Sequence, residues 1–320
     1  MLISVVIPTR NRPELLMRAV RSALLQTHVK CEVIVVIDGK DPATVAALEQ
    51  VLDERLRWIE LAESGGANRA RNTGSNMARG EWVAFLDDDD EWMPRKLERQ
   101  RALLMEASFD PALVVSCQFL VRGPQGEGVW PRRLPDAGEG VGEYMFNRRT
   151  LFDGEAALNT STLLISKQLV NKVQFSPAVK KHQEIDFLLR ASDDPRVRVQ
   201  FVPEVLAVWN VDGGRKAITN SRNWARSLEW IASHRSRISR KAYSGCLLIS
   251  VASEAAGQHD WSGFFPILRS AIRYGQPTAR QLLRYVSIWL VPVEARRWIR
   301  FAIRERRPMP QSKEIVNVSS

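Results

Sequence analysis

Cysteine is scarce and unpatterned in this chain: Cys31, Cys117 and Cys246 are scattered, odd in number and without metal-binding spacing. That excludes a disulfide-stapled scaffold or a cysteine zinc module and predicts a reducing, cytoplasmic compartment. Long apolar runs are also missing. The longest near the end, Tyr285 to Val293 (YVSIWLVPV), falls far short of the roughly 20 residues a spanning helix needs. The N-terminal MLISVVIPTRNR has no basic leader, and its apolar run stops at Pro8 before charge rather than a cleavage site, so it does not read as a secretory signal. No internal repeat is visible.

What is present fits a globular protein of 320 residues, 45% apolar and 26% charged, with room for one large domain and an appendage or for two modest ones. The net charge of +10 is unevenly placed. Residues 1–105 hold 15 basic against 16 acidic side chains, residues 106–218 balance at 14 each, and residues 219–320 hold 17 against 6. The excess thus lies in the last third, which suggests a separate region with its own partner.

Leu2–Ile7 (LISVVI) is a continuous, β-branched apolar run that suits a strand buried on both faces. Pro13 opens a helix after the polar turn Thr9–Arg12. Cys31–Ile37 (CEVIVVI) is a second buried strand ending in Asp38-Gly39, and a helix is expected over 42–53. Leu56–Leu61 reads as a third strand, Gly65-Gly66 leads into a helix over 67–79, and Trp82–Leu86 is a fourth strand. This alternation predicts a single Rossmann-like, mostly parallel, doubly wound α/β sheet flanked by helices. Ligands of such sheets bind beyond the carboxyl ends of the strands, where Thr9–Arg12, Asp38-Gly39 and Asp87–Asp90 should converge. Further on, Leu113–Val121, Leu163–Ile165 and Val197–Val202 read as strands, Gly123–Gly142 as a loop, and Ser221 to about Arg307 as helices. The tail 308–320 reads as disordered.

The run WVAFLDDDDEW carries five acids, Asp87 to Glu91, directly after the fourth strand. Crowded carboxylates repel one another unless a cation sits among them. For an arbitrary acid run a solvated turn is the ordinary reading, but this one stands where ligands collect. A calcium loop would put Trp92 where glycine is needed and would enclose Pro94. A phosphatase-type Asp-x-Asp belongs after a first strand, and this is the fourth. The remaining reading is an Asp-x-Asp that holds Mn²⁺ or Mg²⁺ together with a substrate's phosphates.

IPTRNR, VIVVIDG, GGANRARNTGSNMARGEWVAFLDDDDEW and HQEIDFLLR, in this order and spacing, resemble a family 2 inverting glycosyltransferase over about residues 1–215. The resemblance implies the nucleotide-diphospho-sugar transferase fold and a divalent metal. In it, Pro8, Thr9 and Arg12 match nucleotide-binding positions and Asp38 matches the aspartate that pairs with the base. Arg71, with Asn72 beside it, matches the arginine near the uridine and diphosphate of a UDP-sugar. Asp87 and Asp88 match positions against the ribose and sugar, and Asp89 matches the metal ligand. The residues themselves are compatible with this. Arg71 offers a bidentate fork for phosphate, although a salt bridge to the nearby acids explains it as well. Arg69 lies two residues away and points to a different helix face.

An inverting transfer needs one base to take the proton of the acceptor hydroxyl. In similar proteins it is the aspartate of a Glu-Asp or Gln-Asp pair, and the matching residue in His182-Gln183-Glu184-Ile185-Asp186 is Glu184. Asp186 is the competitor. It lies about 200° around the helix, and Arg190 four residues later suits an ordinary ion pair. His182 reads as a loop-positioning or capping residue. Relatives often add a histidine metal ligand after the last strand. The segment Val208–Lys216 has none, which leaves Asp212 as a replacement, or Asp89, with Asp87 beside it, to hold the metal together with the diphosphate and water. Arg215 and Lys216 suit a lid over the diphosphate, and Trp209 suits either an acceptor platform or the core.

Residues 278–307 interleave arginine with Leu, Trp, Ile and Phe, as a basic amphipathic helix on an anionic membrane surface would. An ordinary helix packed on the domain is the plainer explanation, and no nucleic-acid motif accompanies the charge. The expectation is therefore a cytoplasmic enzyme of three regions: a nucleotide-sugar half (1–105), an acceptor half (106–218) and a basic helical end (219–320). It is expected in polysaccharide biosynthesis, with a glycan or lipid-linked glycan as acceptor, and at the inner face of the plasma membrane if the basic helices lie on lipid rather than on the domain. The rival is a non-catalytic nucleotide-sugar sensor or membrane scaffold that retains the fold.

Overall fold

The computed structural model describes residues 1–124, 126–150, 154–211, 223–291 and 295. Four strands, β1 (Leu2–Thr9), β2 (Lys30–Ile37), β3 (Leu56–Glu60) and β4 (Trp82–Phe85), pair in parallel in the order β3-β2-β1-β4. Seven of the eight residues in β1 and in β2 are buried, as the continuous apolar runs require. Helix α1 (Pro13–Leu24) starts on Pro13, and α2 (Pro42–Glu49) is capped by Asp41, which accepts from Thr44 N–H at 3.2 Å. Helix α3 (Ala67–Met77) follows Gly66, whose φ of 87° lies in the region that favours glycine. Gly74 lets α3 lie directly on the sheet, since a Cβ there would stand 2.4 Å from Val6 Cγ1.

The second half extends the same sheet with mixed pairing. β8 (Leu164–Ser166) runs antiparallel to β4 and to β6 (Leu113–Gly123), β6 pairs in parallel with β9 (Arg198–Asn210), and β9 pairs antiparallel with the short β5 (Glu91–Trp92). The last strand was expected to end at Val202 but continues to Asn210. Val202 faces Cys117 and Val205 faces Gln118, so Pro203 and Glu204 are accommodated in a register shift. The expected loop Gly123–Gly142 instead contains β7 (Gly126–Trp130), a hairpin partner of β6, and ends at α5 (Val141–Phe146).

One core, on one face of the sheet, packs α1 and α4 (Lys96–Glu106), with Leu16, Val20, Leu97 and Leu104 fully buried. The other takes α3, α6 (Lys167–Val173), α7 (Gln183–Ala191) and the later helices. These are α8 (Trp224–Ser233), α9 (Arg240–Gly245), α10 (Ala252–Ala256), α11 (Phe264–Tyr274) and α12 (Ala279–Leu290). A π-helical stretch, Cys246–Val251, joins α9 to α10. Tyr243, Leu247 and Leu248 fall in one buried cluster with Phe187 and Leu188, so the helices after 223 share a core with α7. All three cysteines are free and buried. No described helix is long and apolar enough to cross a membrane.

Candidate active site

The carboxyl ends of β1, β2 and β4 bring Thr9, Asp38 and Asp87 to one edge, as the strand order requires. The four aspartates after β4 divide by exposure. Asp87 and Asp89 keep 30% and 28% of their side chains exposed, whereas Asp88 and Asp90 are buried. Asp88 accepts from Thr9 Oγ1 at 2.8 Å and from Arg12 Nη1 at 3.1 Å, and the same Nη1 reaches Asp89 Oδ2 at 3.2 Å. Asp90 accepts from Ser161 Oγ at 2.5 Å and from Asn210 N–H at 3.2 Å, which ties the acid turn to the end of β9. Burial raises the Asp88 pKa. It raises that of Asp90 well above the usual carboxylate range, with the Asp87 and Asp89 charges adding to the effect. The acid cluster therefore favours added positive charge, and one or two exposed carboxylates are the donor set that Mg²⁺ or Mn²⁺ takes beside phosphate oxygens. Among the described residues, no group of three or more His, Cys, Asp or Glu side chains is arranged to hold a metal alone.

Arg71 links three elements. From the buried face of α3, its Nη2 donates to Asp87 Oδ1 at 2.5 Å. Its Nη1 donates to Asn68 Oδ1 at 2.9 Å and to Gln183 Oε1, at the start of α7, at 2.5 Å. Arg69 is exposed. Asn72 points elsewhere: its amide donates to Phe175 C=O and accepts from Phe175 N–H, both at 2.8 Å. It clamps the chain beside the site rather than facing the acid turn.

Asp38 is buried and holds the loop into α3, accepting from Ser64 Oγ (2.7 Å), Gly65 N–H (2.7 Å) and Gly66 N–H (2.9 Å). Burial works to raise its pKa, but these donors outweigh it and hold it below the usual value. Pro8 is buried in β1 past the last pair with β4, which is Val6 with Phe85.

Glu184 and Asp186 sit in very different surroundings. Glu184, in the first turn of α7, is half-buried. Burial raises its pKa, with the Asp87 charge adding to the rise and His182 and Arg71 opposing it. Asp186 is buried and fully engaged, by Arg190 Nε at 2.9 Å, Trp230 Nε1 at 3.0 Å and His234 Nε2 at 3.0 Å. Burial pushes its pKa up, but His234, Trp230 and Arg190 outweigh that and lower it. His182 precedes α7 with φ 60°, stacks on Trp230 at 4.7 Å and lies 3.8 Å from Glu254, so α8 and α10 support the start of α7.

Gln183, Asn68, Ser161 and Asn210 were not singled out in the sequence. Gln183 lies inside the HQEID motif and could have been found there. Ser161 and Asn210 reach the acid turn only through the long-range sheet pairing. Trp209 is half-buried, tilted against Trp130 at 5.9 Å and edge-on to Phe119 at 6.2 Å. Asp212, Arg215 and Lys216 lie outside the described residues.

A family model described as Glycosyl transferase family 2 matches residues 4–173. The putative teichuronic acid biosynthesis glycosyltransferase TuaG of Bacillus subtilis (strain 168) is 30% identical over 190 residues, covering 58% of this chain and 69% of that protein. The Escherichia coli UDP-Glc:alpha-D-GlcNAc-diphosphoundecaprenol beta-1,3-glucosyltransferase WfgD is 31% identical over 105 residues, covering 33% of this chain and 42% of that one. The crystal structure of S. aureus TarS in complex with UDP has a TM-score of 0.58 at 18% identity, over 90% of each chain, a likeness of fold.

Proposed function

Since the chain belongs to glycosyl transferase family 2, we propose that it moves one sugar from a UDP-linked donor to a glycan or lipid-linked glycan by a single inverting displacement. The UDP in the TarS structure and the UDP-Glc in the name of WfgD support a UDP-linked donor. The lipid diphosphate in that same name and the polymer in the name of TuaG support the acceptor class. We assign the reaction to the cytoplasm, where the three buried thiols stay reduced.

The observation that carries this reading is Arg71, which joins the exposed Asp87 to Gln183, the neighbour of Glu184. It couples the acid turn to the helix that begins with a half-buried carboxylate. In this reading Pro8, Thr9, Arg12 and Asp38 shape the nucleotide end of the crevice, and Arg71, its fork held by Asp87, Asn68 and Gln183, sets its positive charge beside the diphosphate. Asp88 anchors Thr9 and Arg12. Asp89, with Asp87 beside it, would hold Mn²⁺ or Mg²⁺, which supplies charge neutralisation of the departing diphosphate. Glu184 takes the proton of the acceptor hydroxyl as that oxygen attacks the anomeric carbon and the donor's C–O bond breaks. Its raised pKa makes it a better base than an ordinary glutamate. Asp186 has its oxygens committed to three donors and acts as a support for α7.

A thermal-shift panel of UDP-sugars with and without Mn²⁺ tests the reading. The wild type is stabilised by at least one UDP-sugar, and more so with Mn²⁺. Asp89→Asn keeps the metal-independent part of the shift and loses the rest. If no nucleotide sugar stabilises the wild type, the donor assignment fails.

A further inference from the structure

Helices α11 and α12 carry a second, outward apolar face that the described residues leave exposed. On α12, Tyr285, Ile288 and Trp289 are buried, yet Leu283, Val286 and Leu290 recur at three-to-four spacing on the opposite side and are 74%, 46% and 69% exposed. On α11, Ile267 and Ala271 are buried, while Phe265 and Ile272 are 75% and 58% exposed. The two helices meet through aromatic rings: Phe264 lies 5.1 Å from Tyr285 and 5.4 Å from Trp289. Trp261, half exposed, packs on both Trp289 (5.0 Å) and Phe264 (6.1 Å). The exposed residues therefore flank one continuous aromatic joint. Scattered surface leucines need no explanation, but a run of this kind on two joined helices does.

The charge on this face selects the occupant. Residues 264–290 contain Arg269, Arg273, Arg280 and Arg284 and no Asp or Glu. Arg269 and Arg273 are exposed. Arg280 and Arg284 turn back to the domain and donate to the carbonyls of Arg149 and Thr150. Asp260, which precedes Trp261, is engaged by Trp224 Nε1 at 2.7 Å and by Ser262. A second copy docking through the same face would bring two sets of arginines together. The chain after 295 holds seven basic residues against Glu305 and Glu314, so it offers no net charge that complements these arginines. Nucleic acid would satisfy the arginines and leave the exposed leucines in water. We propose that the α11–α12 face docks on an anionic lipid surface, with Trp261, Phe265, Leu283 and Leu290 entering the headgroup boundary and Arg269 and Arg273 facing lipid phosphates. This holds the enzyme at a bilayer surface, and no described helix is long and apolar enough to span it.

Sedimentation of the full chain with phosphatidylcholine vesicles, with and without phosphatidylglycerol, tests the proposal. The wild type pellets with the anionic vesicles, less so at high salt, and stays soluble with phosphatidylcholine alone. Leu283→Glu/Leu290→Glu, at positions whose side chains already face water, lowers the partition coefficient at least about tenfold while UDP-sugar thermal shifts stay unchanged. Phe265→Ser, on the other helix, gives a loss in the same direction and keeps the test decisive if the double variant misfolds. Three outcomes overturn the proposal: no binding by the wild type, wild-type binding by the folded variants, or a concentration-dependent dimer that Phe265→Ser abolishes. Because the vesicle assay needs no sugar transfer, it is independent of the donor assignment.

Discussion

Gly74→Ala is a small change with a large expected consequence, because the helix that carries Arg71 rests on the sheet at that residue. A Cβ at 74 stands 2.4 Å from Val6 Cγ1, 3.2 Å from Val6 Cγ2 and 3.1 Å from Val36 Cγ2. Carbon atoms settle at about 3.5–4.0 Å, so α3 must lift by roughly 1 Å. Both valines are fully buried in adjacent central strands, and branching at Cβ leaves them little rotamer freedom to yield. Overpacking of this kind costs about 1–3 kcal/mol, whereas alanine returns about 1 kcal/mol of helix propensity. With both neighbours immobile the clash wins, and a net loss of up to about 2 kcal/mol is expected. Arg71 lies one turn before Gly74, and its 2.5 Å bonds to Asp87 and Gln183 have no slack to absorb the shift. A misplacement of about 1 Å costs up to ~100-fold in rate. Urea unfolding and UDP-sugar turnover, measured on the same preparation, check both parts. A Gly74→Ala protein as stable and as active as wild type would refute the claim that helix–sheet spacing sets the position of Arg71.

Two further outcomes follow from the carboxylates of α7. Asp186→Asn leaves Arg190 and the His234–Trp230 pair without their common anion, and urea unfolding at pH 7 should show a loss of about 3–5 kcal/mol. Because the folded-state pKa of Asp186 is lowered, its contribution is present above the unfolded value and is lost as pH falls through the folded one, so the gap between wild type and variant should narrow in acid. Glu184 has the opposite shift and must be ionised to act. The acid limb of kcat/KM should therefore rise through a pKa above the ordinary glutamate value of about 4.3, and a limb at or below that value removes Glu184 from the role of base.

The first half of the fold was legible because strands buried on both faces leave an uninterrupted β-branched signature, as in LISVVI and CEVIVVI. The turns between them carried Pro13, Asp38 and Gly66 at positions with a local mechanism. The second half was less legible because its strands are half-exposed or bent. Pro203 reads as a strand end, yet the register shift opposite Cys117 and Gln118 lets β9 run on to Asn210. β7 has no fully buried residue, so GEGVW lacks the signal a strand in the core leaves. At the site, choosing Arg71 over Arg69 rested on motif and helix geometry, which local sequence supplies. The partners of the acid turn, Ser161 and Asn210, are separated from it by 71 and 120 positions, and only the folded sheet brings them together. Asn72 looked like part of an Arg-Asn pair, but its neighbour Phe175 is 103 residues away and takes both ends of its amide.

The central claim is that Glu184, rather than Asp186, takes the acceptor proton in a crevice whose donor end is built separately. Turnover of the best-stabilising UDP-sugar by Glu184→Gln, measured beside UDP affinity by calorimetry, tests it most directly. With Glu184 as the base, UDP affinity stays within about twofold of wild type and turnover falls to background. Turnover near the wild-type rate with intact UDP binding would contradict it.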